Sequence, residues 1–467
     1  MRQTVIVGGG ISGLSCAYHL AKAGLESTII ESRVRLGGVI HTEKTEGCVI
    51  EAGPDSFLSV KPSAMELIRE VGLAGDVIGS NDHLRKTYVW KNRRLVPLPD
   101  GLMLMVPTKI APLVTTRLLG WPTKIRMGME WFRSPSGTAR EDRSVADFIR
   151  DHYGSEAVDY LAEPLLAGVY GGNPSELSVS SVLPRFVELE TKYGSLTKGV
   201  LAERKAVAKE GAKLPLFRTL KGGLGQLVDA VASAIGSKLE FLRGTAESVE
   251  ADSPGFRIRV NGEWIGAGNV VLACEAYQAA KVLNPLDGKL VALLDGVPYS
   301  SSMTMALGFS KSGFGHPLDG FGFLVPRRER RRLVACTWLG TKFSHRVPDD
   351  LVVLRCFMGG AEGADTLSES DDTLAEAAME ELRDIMGVTA RPIFTRISRW
   401  PRSMAQYTVG HNPRVEEIFA RLEPFPGLHL AGNAYHGIGI PDCVRMGKQA
   451  AEKILTRHSR NQTGYPL

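Results

Sequence analysis

Gly8, Gly10 and Gly13 follow the apolar run Thr4-Val5-Ile6-Val7 and have the Gly-x-Gly-x-x-Gly spacing that brings backbone against a pyrophosphate. The first glycine permits a tight turn, the second a close approach to phosphate, and the third close packing of a helix on a strand. A helix predicted from Ile11, through Ser12, to Ala23 would aim its N-terminal N–H groups at the phosphates. Gly24 stands where a C-cap glycine ends such a helix, and Ser27 to Glu31 reads as the next strand. Two short apolar strands joined by a crossover helix run parallel, which predicts an α/β domain. Glu31 falls at the end of its strand, where a carboxylate accepts hydrogen bonds from ribose hydroxyls, an arrangement that suits NAD as well as FAD.

Further glycines support the same ligand. In Glu31-Ser32-Arg33-Val34-Arg35-Leu36-Gly37-Gly38, the glycine pair would lay backbone along the pyrophosphate while Arg33 or Arg35 offers positive charge. Near the other end, Gly432-Asn433 and Gly437-Ile438-Gly439-Ile440-Pro441 lead into a helix predicted from Asp442 to about Thr456. Pro441 fits a first helical turn, and the positive end of that helix would stabilise charge on an electron-rich reduced ring. No Ser/His/Asp or Cys/His arrangement and no acid pair stands out. The expected chemistry is therefore redox chemistry carried by a cofactor, with no side chain assigned as catalytic.

The Glu31–Gly38 run resembles the flavin-dependent amine oxidase and desaturase superfamily, which favours FAD. Glu51-Ala52-Gly53-Pro54-Asp55-Ser56-Phe57-Leu58 is similar to the signature of the oxygen-dependent protoporphyrinogen and coproporphyrinogen oxidases of haem synthesis. Pro107 to Pro112, Glu163-Pro164-Leu165-Leu166 through Gly172, Gly222-Gly223-Leu224, Arg399-Trp400 with Gln406-Tyr407, Val409-Gly410-His411 and Gly432 to Cys443 resemble that family in order. The resemblance covers essentially the whole chain. It implies that Gly53, Pro54, Asp55, Ser56, Trp400, Gly432 and Asn433 join the FAD site, with Ala246 meeting adenine through its backbone. It further implies that Val169, Tyr170, Gly171, Phe323, Leu324 and Met358 line a wide apolar pocket, with Arg85 or Lys86 holding propionates.

The implied reaction removes six electrons from a porphyrinogen in three two-electron steps, with O2 as acceptor and H2O2 as product. Several protoporphyrinogen oxidases carry an arginine where this chain has Thr87. Thr87 and Ala335-Cys336-Thr337-Trp338 look more like the Gram-positive type that accepts coproporphyrinogen III. The choice between coproporphyrinogen III and protoporphyrinogen IX stays open, with a lean to the former. The rival readings are an amine oxidase or desaturase, and a binding or escort protein that keeps the fold without turnover.

These residues need a large scaffold, and 467 residues with 43% hydrophobic content provide more than one core. The expected architecture is a discontinuous, Rossmann-like FAD-binding domain of the glutathione-reductase type over 1–80, 215–290 and 395–460. It is interleaved with an α+β substrate domain over 81–100, 185–214 and 291–394, and a helical insertion occupies 101–184. Strands are read at 239–242, 256–260, 263–265 and 269–273, with an Asn261-Gly262 hairpin turn between the second and third. An acidic amphipathic helix is read at 371–386.

A net charge of +5 does not call for nucleic acid. Six scattered cysteines without a C-x-x-C pair fit reduced thiols in the cytoplasm, and no histidine spacing predicts a metal site. No signal peptide is expected, because the first apolar run breaks at Gly8, and no window reaches the ~20 apolar residues of a membrane span. The basic, Trp-bearing stretch Leu118 to Trp131 reads as a core face or as peripheral contact with the cytoplasmic side of a membrane. The sequence leaves the oligomeric state open and is compatible with a homodimer.

Overall fold

A computed structural model describes residues 2–135, 137–138, 141–207, 214–330, 332–360 and 365–463. The chain divides into two compact units, each assembled from separated segments. The first comprises Met1–Ser80, Pro215–Pro298 and Pro413–Leu467; the second comprises Asn81–Leu214 and Tyr299–Asn412.

The first unit opens with strand β1 (Arg2–Val7), helix α1 (Ile11–Lys22) and strand β2 (Ser27–Glu31). Gly24 ends the α1 turn with φ +92°, and the Leu25 N–H reaches back to the Leu20 carbonyl, the closure a left-handed glycine allows. β1 and β2 pair in parallel between Leu239–Arg243 on one side and Glu263–Leu272 on the other, and Leu428–Leu430 adds a fifth parallel strand. The β1 residues Val5 and Ile6 and the β2 residues Ile29 and Ile30 are all buried, as expected of parallel strands covered on both faces. Helix α1 is gripped by the C-terminal helix Ile440–Thr463, where a Cβ on Gly447 would stand 2.1 Å from the Ser12 carbonyl.

One strand differs from the sequence reading. The strands read at 263–265 and 269–273 are one strand, Glu263–Leu272, which ends a residue short of Ala273. Its first half pairs antiparallel with Gly255–Val260, and its second half pairs parallel with β1. A segment serving two partners shows no single periodicity. The hairpin turn itself is as read: Asn261 and Gly262 have φ +50° and +87°.

The second unit is built on a seven-stranded sheet in the order 394–405, 299–310, 351–360, 333–338, 322–324, 87–91, 94–97. One face carries Met303, Met305, Leu307, Phe323, Leu354, Cys356, Met358 and Trp338 and is sealed by Leu374, Ala378, Leu382 and Met386 of the helix Asp371–Met386. The helix Glu163–Tyr170 packs on strands Gly322–Leu324 and Leu333–Trp338 and continues directly from a π-helical turn, Val158–Ala162.

The neighbouring helices Trp121–Met129, Val145–Tyr153 and Leu196–Val207 are joined through the buried Glu130 carboxylate. It meets His152 Nδ1 at 3.0 Å and accepts from Ser195 Oγ at 2.8 Å and the Leu196 N–H at 2.5 Å. Burial alone would raise its pKa, but these bonds and His152 hold it below the ordinary carboxylate range. A depressed carboxyl contributes stability above the ordinary range and loses it as pH falls through the depressed value. Glu130→Ala is expected to lower the free energy of unfolding by about 3 kcal/mol at neutral pH, and the deficit should shrink on acidification. Urea titrations at neutral and acid pH check both.

Candidate functional site

The parallel strands of the first unit end together, and the glycine motifs meet there. Gly8, at φ +106°, follows β1 so closely beside the next strand that a Cβ would stand 2.7 Å from the Ala273 carbonyl oxygen. A Cβ on Gly13 would stand 2.1 Å from the Gly8 carbonyl oxygen, so helix and turn approach as only glycine allows. Gly10 caps α1 without any side-chain hydrogen bond, and the first turn holds no acidic residue. The first N–H groups, those of Ile11, Ser12 and Gly13 among them, therefore have no intrahelical partner, and a Cβ on Gly10 would find no atom within 4 Å. An uncapped helix start facing open space is a cradle for an anion.

Glu31 shapes this cradle from the β2 end. Its Oε2 accepts the Gly9 N–H at 2.9 Å, its Oε1 accepts the Arg33 N–H at 2.9 Å, and Ser32 Oγ lies at 3.3 Å. A carboxylate offers about four lone-pair sites, so the oriented group keeps acceptor capacity for ribose hydroxyls. The Gly244 N–H donates to the Glu31 carbonyl, which places Thr245 and Ala246 at the same sheet end.

The second glycine pair touches the first. The Gly37 N–H donates to the Gly9 carbonyl at 2.8 Å, and a Cβ on Gly38 would stand 3.1 Å from Gly10 Cα. Arg33 and Arg35, read as offering positive charge to the pyrophosphate, are also tied to the loop itself. The Arg35 guanidinium donates to the carbonyls of Leu36, Gly38 and Ile40, and Arg33 Nη1 donates to Gly38 as well. Both hold the loop in shape. Burial pulls the Arg35 pKa down, yet the group stays charged, because even a lowered guanidinium lies far above neutrality.

The 51–56 segment supports that loop from below. A Cβ on Gly53 would overlap the Val39 carbonyl, and Pro54 leads to Asp55, which accepts Ser56 Oγ at 2.6 Å. Buried Glu51 accepts from Thr42 Oγ1 and the Leu224 N–H, both at 2.7 Å, while Thr42 Oγ1 accepts the Gly225 N–H. Glu51 and Gly222–Leu224 stood out in the sequence as separate motifs, but their pairing through Thr42 carried no signal, because the two segments lie far apart along the chain.

The C-terminal motif arrives at the same strand ends. The Ala431 N–H donates to Leu272, and Gly432 follows at φ +135°, its Cβ position 3.7 Å from the Cys274 carbonyl; Asn433 comes next. Ser15 Oγ of α1 donates to Val444, which sets the Gly439-Ile440-Pro441 start of the C-terminal helix beside α1. Buried Asp442 lies in that first turn and is balanced by Lys61 Nζ at 2.6 Å. The cysteines here are held as thiols: burial pushes Cys443 up to about 11 and Cys16 and Cys274 up to about 12. Among the described residues no cluster could hold a metal ion.

The remaining candidates belong to the second unit. Trp400 is buried in strand Phe394–Ala405. Val169 is exposed at the end of the helix Glu163–Tyr170, and Gly171 closes that helix at φ +58°. Gln406 pins this end: its Nε2 lies 2.7 Å from the Tyr170 carbonyl, 2.9 Å from Ser300 Oγ and 3.0 Å from the Met404 carbonyl, which share its two N–H donors. Glu163 fixes the other end through an ion pair with Arg330 and the Arg327 N–H at 2.9 Å.

Two lining assignments are corrected. Neighbouring residues in a strand face opposite sides, so Phe323 and Leu324 cannot both line one pocket. Phe323 (1% exposed) and Met358 (2%) lie inside the hydrophobic core, whereas Leu324 faces Gly168 of the 163–170 helix. Lys86 is already paired with Asp319 at 2.7 Å, and Arg85 is exposed.

This set of glycine turns, an oriented carboxylate and an uncapped helix start is what a flavin dinucleotide requires. The chain belongs to the flavin-containing amine oxidoreductases, whose family model matches residues 11–455, and its cofactor is FAD. It is 34% identical to the coproporphyrinogen III oxidase of Bacillus subtilis, covering 97% of this chain and 98% of the relative. It is 27% identical to the chloroplastic protoporphyrinogen oxidase of Oryza sativa, covering 97% and 89%. A crystal structure from Exiguobacterium sp. 255-15, provisionally named a protoporphyrinogen oxidase, superposes with TM-score 0.88 at 30% identity over 98% of this chain and 99% of that one. Reduced UDP-galactopyranose mutase shares the mixed α/β fold, with TM-score 0.73 at 18% identity over 98% and 96%.

Glu31→Ala is expected to weaken FAD retention by roughly tenfold, since a charged acceptor and the loop it orders are both lost. The ratio of flavin to protein absorbance after gel filtration measures this, and an unchanged ratio would remove Glu31 from the site.

Proposed function

We propose that this protein is an FAD-dependent oxidase that aromatises a porphyrinogen in haem biosynthesis, with coproporphyrinogen III as its substrate. The observation that carries this reading is the extent of the similarity to coproporphyrinogen III oxidases. It spans 97% of the chain for the enzymes of B. subtilis and Staphylococcus aureus, so it includes the second unit and not only the cofactor motifs. Identity is 34% and 30% to these two, against 27% and 26% to the chloroplastic protoporphyrinogen oxidases of rice and tobacco.

On this reading the first unit is a Rossmann-like FAD domain of the glutathione-reductase type and the second binds substrate. Gly8, Gly10, Ile11, Ser12, Gly13, Gly37 and Gly38 receive the pyrophosphate, Glu31 the ribose and Ala246 the adenine. Gly432, Asn433 and the Gly439–Pro441 turn support the redox ring. FAD, when bound, supplies the two-electron acceptor that delivers electrons to O2 and forms H2O2, three times per porphyrinogen. The chain's own residues bind and orient. Val169, Tyr170, Gly171 and Leu324 offer an apolar wall for a macrocycle, and no side-chain base is needed where the substrate is already electron-rich.

Steady-state oxidation of both porphyrinogens tests the proposal. Coproporphyrinogen III should show a kcat/KM at least about tenfold above protoporphyrinogen IX, because a pocket built to pair extra carboxylates favours the substrate that carries them. Oxidation of amines with both porphyrinogens inert would overturn it, and so would bound FAD that neither porphyrinogen reduces anaerobically.

A second reading concerns the helix Trp121–Met129. Trp121 (62% exposed), Ile125 (59%) and Met129 (65%) recur every fourth residue along one face, and Phe132 (80%) extends it, with Arg117, Lys124, Arg126 and Arg133 nearby. Among the described residues no helix is long and apolar enough to cross a membrane. We propose that this face rests on an anionic lipid surface. The wild type should co-sediment with anionic vesicles at low salt, and Trp121→Ser with Ile125→Ser should abolish this. Failure of the wild type to sediment overturns the proposal, as does a dimer dispersed by the same substitutions.

A further inference from the structure

A row of buried side chains crosses four strands of the sheet in the second unit. Phe323 opposes Cys336, Cys336 opposes Cys356, and Cys356 opposes Met305. All four belong to the core beneath the helix Asp371–Met386, where Cys336 and Cys356 are 2% and 0% exposed. The sulfurs of this middle pair lie 4.0 Å apart.

The main-chain bonds on either side define the kind of pair this is. The Val325 N–H donates to the Val334 carbonyl at 2.9 Å, and the Trp338 N–H donates to the Phe321 carbonyl at 2.8 Å. In antiparallel strands alternate residues turn their main-chain groups to the same neighbour, so Val334, Cys336 and Trp338 all direct theirs toward the strand Gly322–Leu324. Cys336 therefore meets Cys356 as a non-hydrogen-bonded pair, the closer of the two kinds, whose Cα atoms stand about 4.5 Å apart. That separation falls within the span of a disulfide, about 4.4–6.8 Å. Bringing the sulfurs to bonding distance then requires side-chain rotation and little movement of the strands.

We infer that Cys336 and Cys356 form an oxidisable dithiol, a modification site that hydrogen peroxide converts to a cross-strand disulfide within the folded protein. This goes beyond the porphyrinogen reading and is independent of which substrate is oxidised, because an oxidase that returns electrons to O2 forms the peroxide itself. One sulfur, as thiolate, attacks the peroxide, whose O–O bond breaks to leave a sulfenic acid and hydroxide. The second sulfur displaces the sulfenic oxygen, which leaves as water, and the S–S bond forms. In sum, two thiols and one H2O2 give one disulfide and two waters; sulfur loses two electrons and the peroxide oxygens gain them. Burial pushes the Cys336 thiol well above its ordinary value, so little thiolate is present at neutral pH and the bond forms over minutes to hours. H2O2 is small and uncharged, as entry to an apolar core requires. The disulfide is apolar and reversible by thiols, whereas a sulfinic acid would leave a polar group in the core.

The test uses purified FAD-loaded wild type, reduced, desalted, incubated with excess H2O2, and then denatured and alkylated. Two of the six cysteines should escape alkylation, and the intact mass before alkylation should fall by two hydrogens. Trypsin should release the peptide Leu333–Lys342 joined to Cys356–Arg383. Dithiothreitol should restore all six thiols, and the bridged protein should keep its flavin spectrum and a cooperative thermal transition. Cys336→Ala and Cys356→Ala, treated alike, should give no bridge; the wild-type peptide map decides the question even where a variant folds poorly. A wild type that keeps all six thiols overturns the inference, as does a bridge between other cysteines or oxygen added at Cys336 or Cys356 without a bridge. A bridge accompanied by loss of the flavin spectrum and of cooperative melting overturns it too, since the bond would then belong to an opened chain.

Discussion

The constraint on which this molecule depends is how closely peptide groups approach one another where the parallel strands of the first unit end. Gly8 against Ala273, Gly13 against Gly8, Gly38 against Gly10, and Gly53 against Val39 are all contacts that a single methyl group would open. Such closeness, with N–H groups left unsatisfied at the start of α1, is the backbone geometry that suits an anion, since a wider turn would bring side chains into the same space. The α1 start stays uncapped for the same reason. A serine or aspartate cap would stabilise the helix by about 1 kcal/mol but would occupy the anion's place.

Around this backbone cradle, buried carboxylates serve mainly to fix main chain. Glu31 and Glu51 in the first unit, and Glu130 and Glu163 in the second, each accept a backbone N–H from a segment outside their own secondary-structure element. A buried carboxylate is costly unless it is satisfied, so each of these joints is specific as well as strong. That use of acids suits an enzyme whose cofactor carries the reaction. The protein contributes positioning and keeps titrating groups tied into its own frame.

Much of the first unit was legible because its signals are local. Strand, glycine turn, helix and strand follow each other within the first 31 residues, and the structure places β2 at Ser27–Glu31 as read. The Asn-Gly turn and the acidic helix Asp371–Met386 were equally visible, since φ preference and a period of 3.6 need no distant partner. The misread elements are those whose environment is remote. Glu263–Leu272 looked like two strands because its halves answer to different neighbours. Phe323 and Met358 looked like pocket residues because an apolar side chain on a strand is the same in sequence whether it meets a core or a ligand.

The sequence by itself determined that a flavin dinucleotide would be the cofactor and would carry the chemistry, and it offered the glycines and the carboxylate read as its receivers. These follow from steric freedom and charge, which belong to single residues. Only the tertiary structure decided that Arg35 braces a loop, that Gln406 and Glu163 hold the helix Glu163–Tyr170 at its two ends, and that the register of the strand Phe394–Ala405 breaks at Pro401–Ser403. Each of those depends on a hydrogen bond or a register between segments far apart in the chain, and no local pattern of residues encodes the distance between them.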